Sequence, residues 1–402
     1  MADFGGDVEG FRGEARAWLE ANFPASLRAD PTAQLAAMMG GVPTPDAAEW
    51  GRRMGEKGWG TPTWPKAYSG GGLDRAQARV LADEMAAIGA RNPIGGMGVM
   101  MFGPTLLEVG TEEQKRRHIP PIVRGELRWC QGYSEPGAGS DLAGLQTRCE
   151  DKGDHWLING QKIWTSGANL ADWCFCLVRT DPTRKHDGIS FMLIDMRTPG
   201  VEARPIRLIN GGSPFCETFF TDVKVPKENL MGPLNGGWTI AKRLLQFERE
   251  NISASLGAGG SPALGQTGAI DTIVRERLGV AADGRLSEAD IRRRLVEHRI
   301  DARAFQLTTR RASLEASANQ GPTAATSIMK YAGAKIAQDR SELAVEAMGA
   351  DGLGWEGDAF APADLAATRA WLRTKANSIE GGTSEINLNV VAKRVLGLPD
   401  PR

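Results

Sequence analysis

A chain of 402 residues has room for roughly two or three domains with sizeable cores. Its 48 basic and 49 acidic residues leave a net charge of −1, which excludes the strong basic field of a nucleic-acid or membrane-surface binder. Five cysteines with no C-x-x-C, and no metal-ligand spacing against four histidines, point to packed free thiols. With no apolar signal core at the start and no window near the roughly 18 apolar residues of a membrane span, a soluble, cytoplasmic protein is expected.

Residues 7–23 read as an amphipathic helix, with Val8, Phe11, Ala15, Trp18 and Leu19 at helical spacing and Pro24 beyond them. A Gly/Pro-punctuated segment runs on to Gly70-Gly71-Gly72, interrupted by a predicted helix over 46–57 that Asp46 opens. Another helix is expected over 74–89, capped by Asp74. The glycine- and methionine-rich stretch 95–103 is either a helix lining a pocket or a packed core helix. Thr111-Glu112-Glu113-Gln114 resembles a capping box opening the next helix, which Pro120-Pro121 should end.

From about 128 to 230 the texture changes to short alternating runs separated by turn residues, among them 155–158, 173–179, 189–195 and 219–225. Cys174 and Cys176 share one strand face, and Asn159-Gly160 is a hairpin signal. After Gly236-Gly237 helices return over 238–257, 266–278, 288–318, 322–349, 364–375 and 384–396, with Ala282-Asp283-Gly284 as a loop. Helix, sheet and helix are segregated along the chain, which makes the fold class α+β, with domains at 1–127, 128–235 and 236–402.

Four stretches could carry chemistry. Trp129–Asp141 ends in Ser134-Glu135-Pro136-Gly137-Ala138-Gly139-Ser140-Asp141, a turn rich in hydroxyls and free N–H groups. It is either a loop for a polar or heterocyclic ligand or an ordinary solvent turn. Asn159-Gly160-Gln161-Lys162 leads into Trp164, Thr165 and Ser166, where the indole lies against a planar ring or in the core. Leu244, Glu248 and Ile252 fall at i, i+4 and i+8, so Glu248 is either a partly desolvated general base or part of a solvated Glu-Arg-Glu patch. Glu380-Gly381-Gly382-Thr383-Ser384-Glu385-Ile386 opens a helix whose N–H groups hold a phosphate or carbonyl, or are simply capped.

In this order and spacing the four stretches resemble the acyl-CoA dehydrogenase family over nearly the whole length. The match also takes in Trp64-Pro65-Lys66-Ala67-Tyr68-Ser69-Gly70-Gly71 and Asp222-Val223-Lys224-Val225-Pro226-Lys227-Glu228-Asn229-Leu230. The resemblance is nearest to bacterial FadE-type enzymes acting on dicarboxyl-, branched, steroid-side-chain or other unusual acyl-CoAs. It implies an N-terminal helical domain, a central antiparallel β barrel and a C-terminal four-helix bundle. It also implies FAD, an acyl-CoA substrate and an electron-transferring flavoprotein as acceptor. The assembly it implies is a homotetramer or homodimer, with a heterotetramer as the alternative; no metal, nucleic acid or membrane is involved.

By position, the resemblance puts Gln131, Tyr133 and Ser134 along the flavin ring, Ser140 near the FAD pyrophosphate and the acyl-CoA, Trp164 over one ring face and Ser166 at its edge. Thr383 and Glu385 would meet the adenosine half. The implied reaction is α,β-dehydrogenation, with α-proton abstraction and hydride transfer to flavin N5. The base before Gly-Thr-Ser in many members falls at Gly381, leaving Glu380 one residue early and turned by about 100°. Isovaleryl- and long-chain-type members carry it instead at the position of Glu248, followed as here by Arg249. Glu248 is therefore assigned as base, with Glu380 as alternative; Gly381 gives its N–H to the thioester carbonyl, and Arg249 anchors the helix or the acyl-CoA. The family's Arg-x-x-Phe-Gly segment is not matched around 275–295, where Leu278 follows Arg275 and Arg277. Rival readings are a subunit of a heteromeric enzyme and a flavin monooxygenase or oxidase on the same fold.

Overall fold

The computed structural model describes residues 8–30, 32–34, 42–245, 247, 267–319 and 325–399. They fall into two compact units, one of residues up to 206 with 214–248, the other of 207–213 with the chain from 249 onward.

The first unit opens with helices Val8–Asn22, Pro45–Lys57 and Arg75–Ala87 around a core of Phe11, Leu19, Trp50, Met54 and Trp59. The second helix starts one residue earlier than Asp46 suggests. Thr44 is its cap, accepting from the Ala47 N–H at 3.2 Å, and Pro45 takes the first position, where its missing N–H costs nothing. Asp74 caps the third helix in a reciprocal box with Gln77. Glu84, nearly fully buried, is held between Arg12 at 2.7 Å and Arg16 at 2.9 Å, tying first helix to third.

Stretch 95–103 resolves into a π-helical turn, Gly98–Phe102, running into the helix Gly103–Val109. The widened turn leaves Met100 exposed and sends Met101 and Phe102 inward. The capping-box helix, Glu112–Val123, passes through Pro120-Pro121 instead of stopping there. Ile119, Ile122 and Val123 are all buried, and this apolar last turn holds the helix while two missing N–H groups fall at its end. Gln114 completes the cap and donates to the carbonyls of Glu228 and Leu230 at 2.7 and 2.9 Å, fastening this helix to the sheet.

The sheet has eight strands: β1 (Trp129–Gly132), β2 (Arg148–Asp151), β3 (His155–Ser166), β4 (Trp173–Arg179), β5 (Ile189–Asp195), β6 (Val201–Ile206), β7 (Phe215–Pro226) and β8 (Leu230–Met231). Its order is β6-β7-β3-β2-β4-β5-β8, with β1 beside β4. Two expectations need correction. The sheet is mixed, because β1 and β2 both run parallel to β4. It is also open: no pairing among the described residues joins β6 to β8, so no closed barrel forms.

Every residue of β4 is buried, because both faces of the sheet are covered there. Trp173, Phe175 and Leu177 face a core shared with Phe102, Ile119, Ile122 and Trp129. Cys174 and Cys176 face the other way, with Cys130, Cys149 and Cys216; all five thiols are free and buried. Gly132 belongs to this layer because a Cβ there would stand 2.8 Å from the Cys174 sulfur and 2.9 Å from that of Cys176.

The Asn159-Gly160 hairpin does not exist. Both residues lie inside β3, at a register break against β7. Gly160 is required by packing: a Cβ would stand 2.6 Å from the Thr147 hydroxyl and 2.7 Å from its Cα. The Asn159 amide reaches across to Asp222.

His118 lies edge-on to Trp173 at 4.8 Å and Trp129 at 5.2 Å, with no hydrogen-bond partner among the described residues on either ring nitrogen. Burial, helped by the Arg117 charge, pulls its pKa down to about 4. Above pH 6.5 the ring is neutral folded and unfolded; between 6.5 and 4 only the unfolded chain takes the proton. His118 therefore costs stability as pH falls, by about 2 kcal/mol at pH 5. The unfolding free energy from urea melts should fall by that much more between about pH 7.5 and 5 for wild type than for His118→Leu; equal falls would refute the assignment.

The second unit contains helices Thr267–Leu278, Ala289–Asn319, Ala325–Ala347 and Pro362–Thr374, with Ala325–Ala347 packed against the other three. The Asp283-Gly284 loop is closed by a bridge between Val280 and Leu286. A seven-residue helix, Ser384–Val390, ends in a π-helical turn rather than running on to 396 as one helix. Among the described residues no helix is long and apolar enough to cross a membrane.

Candidate active site

The first unit brings two of the four stretches together. The loop after β1 lies against the middle of β3: the Ser134 carbonyl accepts the Ile163 N–H at 2.9 Å, and the Tyr133 carbonyl accepts from Lys162 Nζ at 3.1 Å. A tight turn, Glu135 to Ala138, is closed by reciprocal N–H to carbonyl bonds of 3.0 Å. Beyond it the Arg179 guanidinium donates to the carbonyls of Ala143 and Leu145 and, at 2.7 and 2.8 Å, to those of Arg184 and Lys185. A single buried cation thus shapes two loops. Lys185 in turn pairs with Asp141 at 2.9 Å.

Gln131 is half-buried, and its amide nitrogen has no hydrogen-bond partner among the described residues. The Tyr133 ring packs edge-on to Phe175 at 6.0 Å and Phe191 at 6.4 Å inside the core. Ser134 and Ser166 are half-buried, and Ser140 is exposed beside Asp141. The core alternative for Trp164 is overturned: the residue is 53% exposed, edge-on to Phe215 at 6.2 Å. Its backbone is left-handed, φ 60°, at a second register break in β3 between Lys162 and Thr165. An aromatic residue held there is strained, and strained backbone gathers where a side chain has to be presented.

A cleft of about 400 Å³ opens beside this loop, lined by Glu135, Pro136, Gly137, Gln146, Thr147 and Gly160 among others.

Motif spacing assigns no role to Glu135 or Lys162, yet both are buried, Lys162 completely. The signal for Lys162 lies in the alternation of β3: it shares the inward parity of Trp156 and Ile158, and a cation facing inward demands a carboxylate. Arg179 gives no such signal, because its partners are carbonyls spread over two loops.

In the second unit Gly381 and Gly382 are left-handed, with φ 63° and 86°, and Thr383 caps the helix they open by accepting from the Ile386 N–H at 3.2 Å. Glu385 is exposed on its first turn. Glu380 is exposed and paired with Arg373 at 2.7 Å. Arg277 pairs with Asp351 at 2.9 Å and with the buried Asp364, while Arg275 donates to the Gly284 carbonyl at 3.3 Å. Glu248 and Arg249 lie outside the described residues; shortly before them in the chain Ile240, Ala241 and Leu244 are buried. Among the described residues no group of three His, Cys, Asp or Glu could hold a metal ion.

The donor set fits a large planar heterocycle: an amide at Gln131 unpartnered among the described residues, a presented indole at Trp164, and hydroxyls at Ser134 and Ser166.

Family models for the acyl-CoA dehydrogenase N-terminal, middle and C-terminal domains match residues 9–126, 130–223 and 235–396. The acyl-CoA dehydrogenase IpdE1 of Mycobacterium tuberculosis is 36% identical over 403 residues, covering 98% of each chain. Among solved structures, the Tcur3481-Tcur3483 steroid ACAD superposes with a TM-score of 0.75 at 31% identity over 98% of each chain. The ChsE4-ChsE5 complex from M. tuberculosis gives 0.73 at 28% over the full length of both. The chain belongs to the acyl-CoA dehydrogenase family of FAD-dependent oxidoreductases.

Proposed function

We propose that the protein oxidises an acyl-CoA thioester to the 2-enoyl-CoA. The observation that carries this most directly is Trp164, exposed on a left-handed backbone beside a loop bonded to its own strand. Gln131, the Tyr133 backbone and Ser134 line the isoalloxazine, Trp164 covers one face, Ser166 bonds its edge, and Ser140 serves phosphate and substrate. Thr383 and Glu385 serve the adenosine half. Bound FAD supplies the acceptor for the hydride that leaves Cβ. Glu248 removes the α-proton, and the Gly381 N–H donates to the thioester oxygen, where charge develops. These roles rest on the family resemblance by position. Arg249 anchors its own segment or the acyl-CoA, and an electron-transferring flavoprotein reoxidises the enzyme.

A bulky acyl group is the favoured substrate class, because one structural relative matched along nearly its whole length is a steroid ACAD. The test is anaerobic bleaching of the flavin by a panel of straight, branched, dicarboxyl and steroid-side-chain acyl-CoAs, with the product two mass units lighter. No bleaching by any member defeats the reading, and rapid O2 consumption on adding substrate favours the oxidase alternative.

A second reading makes this chain one subunit of a mixed assembly. The two arginines nearest the family's Arg-x-x-Phe-Gly position are already bound within their own unit, and one matched structure, ChsE4-ChsE5, is a complex of two proteins. Purified alone, a self-sufficient chain is yellow; a colourless chain that turns yellow only with a second protein establishes the mixed assembly.

Relieving strain at Trp164 separates its structural from its ligand role. Trp164→Gly is expected to raise the stability of the FAD-free chain by about 1 kcal/mol, since glycine adopts this φ freely. The same change should weaken FAD binding by about tenfold or more through the lost ring contact. Urea melts and flavin titration check both; weaker binding together with lower stability would mean that the indole is structural.

A further inference from the structure

Lys162 has no exposed surface, and a buried ammonium ion is costly unless its donors are satisfied. It donates to Glu135 Oε1 at 2.8 Å and to the Tyr133 carbonyl at 3.1 Å. The other side of the Glu135 carboxylate is filled as well: Oε1 accepts the Thr147 N–H at 2.8 Å and Oε2 the Gln146 N–H at 2.6 Å. One ion pair thus fastens three segments, 133–135, 146–147 and 162–163, and the neighbouring Ile163 N–H fixes the Ser134 carbonyl. With the Tyr133 and Ser134 carbonyls both committed to β3, the loop has one backbone orientation. Trp164 follows two residues after Lys162, across the register break.

We infer that Glu135 and Lys162 are positioning residues for the flavin: their buried pair sets the relation between the Gln131–Ser134 face and Trp164, two elements that must meet the same ring from different parts of the chain. This rests on the flavin reading above. Both side chains are buried and spend their hydrogen bonds on this framework, so the pair acts through the backbone that carries their partners. Burial pushes the Glu135 carboxyl up, but the Lys162 charge and the N–H donors outweigh it and hold the carboxylate ionised through the neutral range.

The test uses the full chain with Lys162→Met, Glu135→Gln and the double variant. It reads thermal stability without FAD, FAD affinity by flavin fluorescence, and the visible circular dichroism of bound flavin. Each single change leaves an unmatched partner and should lower stability. The double change removes both charges, and replacing a buried pair in this way is often neutral. It should regain most of the stability yet bind FAD about tenfold or more weakly, with an altered visible band. A double variant with wild-type affinity and band overturns the inference, whatever its stability. If the double variant does not fold, Glu135→Gln carries the test: it is isosteric and still accepts one N–H, so unchanged affinity and band overturn the inference, and their loss supports it. A wild-type chain that takes up no FAD under any condition defeats the flavin reading itself, and this inference with it.

Discussion

Glu248→Gln is expected to bind FAD as tightly as wild type and to lose about 10²–10⁴-fold in the rate of flavin reduction by acyl-CoA. The α-proton of a thioester is weakly acidic, and a positioned carboxylate is the group available to take it near neutral pH. Glutamine keeps the size and removes the basicity, so binding and chemistry separate. Glu380→Gln is expected to retain most of the rate, because Glu380 is exposed and already paired with Arg373. Stopped-flow bleaching reads the reduction step, and exchange of the substrate α-hydrogen with deuterated solvent reads proton abstraction on its own. A Glu248→Gln enzyme that still exchanges the α-hydrogen at the wild-type rate refutes the assignment. Loss of exchange in Glu380→Gln instead would move the base to the other glutamate.

Much of the fold is legible in the residues themselves. Caps are local chemistry, so Asp74 and Thr111 announce their helices correctly. Alternation places Cys174 and Cys176 on one face. What fails is what a linear reading cannot weigh. Asn159-Gly160 has turn chemistry, yet the glycine is there because Thr147, distant in sequence, comes within a Cβ's reach. Pro120-Pro121 should stop a helix, but three buried residues around them hold its last turn. Strand direction is also hidden: β1 and β2 run parallel to β4, and no local pattern encodes which partner a strand chooses. At the site, motif residues can be named, and alternation along β3 turns Lys162 inward, but nothing local shows that Trp164 is strained outward. That depends on the break in β3 register against β7 between Lys162 and Thr165, where a shift of one residue changes which side chains face the core.

Phe102→Ala is expected to destabilise the chain by about 3–5 kcal/mol, the range for emptying a fully buried aromatic site. Phe102 stacks on Trp129 with ring centres 3.8 Å apart and on Phe175 at 5.5 Å, so its ring backs β1 and β4 at once. Collapse into the space is obstructed on the helix side, because the next residue, Gly103, already lies against the Trp64 ring, where even a Cβ would stand at 2.1 Å. A cavity that cannot close gives the upper part of the range. The effect should reach the site, since Trp129 begins the strand that carries Gln131 and leads into Ser134. FAD binds the folded chain, so saturating FAD should recover about 2.7 kcal/mol at a hundredfold excess over its dissociation constant. Phe102→Leu, which keeps most of the volume, should cost under about 1.5 kcal/mol and leave affinity unchanged. Denaturant melts with and without FAD measure all three. A cost below about 1 kcal/mol for Phe102→Ala would mean that the aromatic stack does not support β1, and the site would then be held by the Glu135–Lys162 pair and the β3 backbone alone.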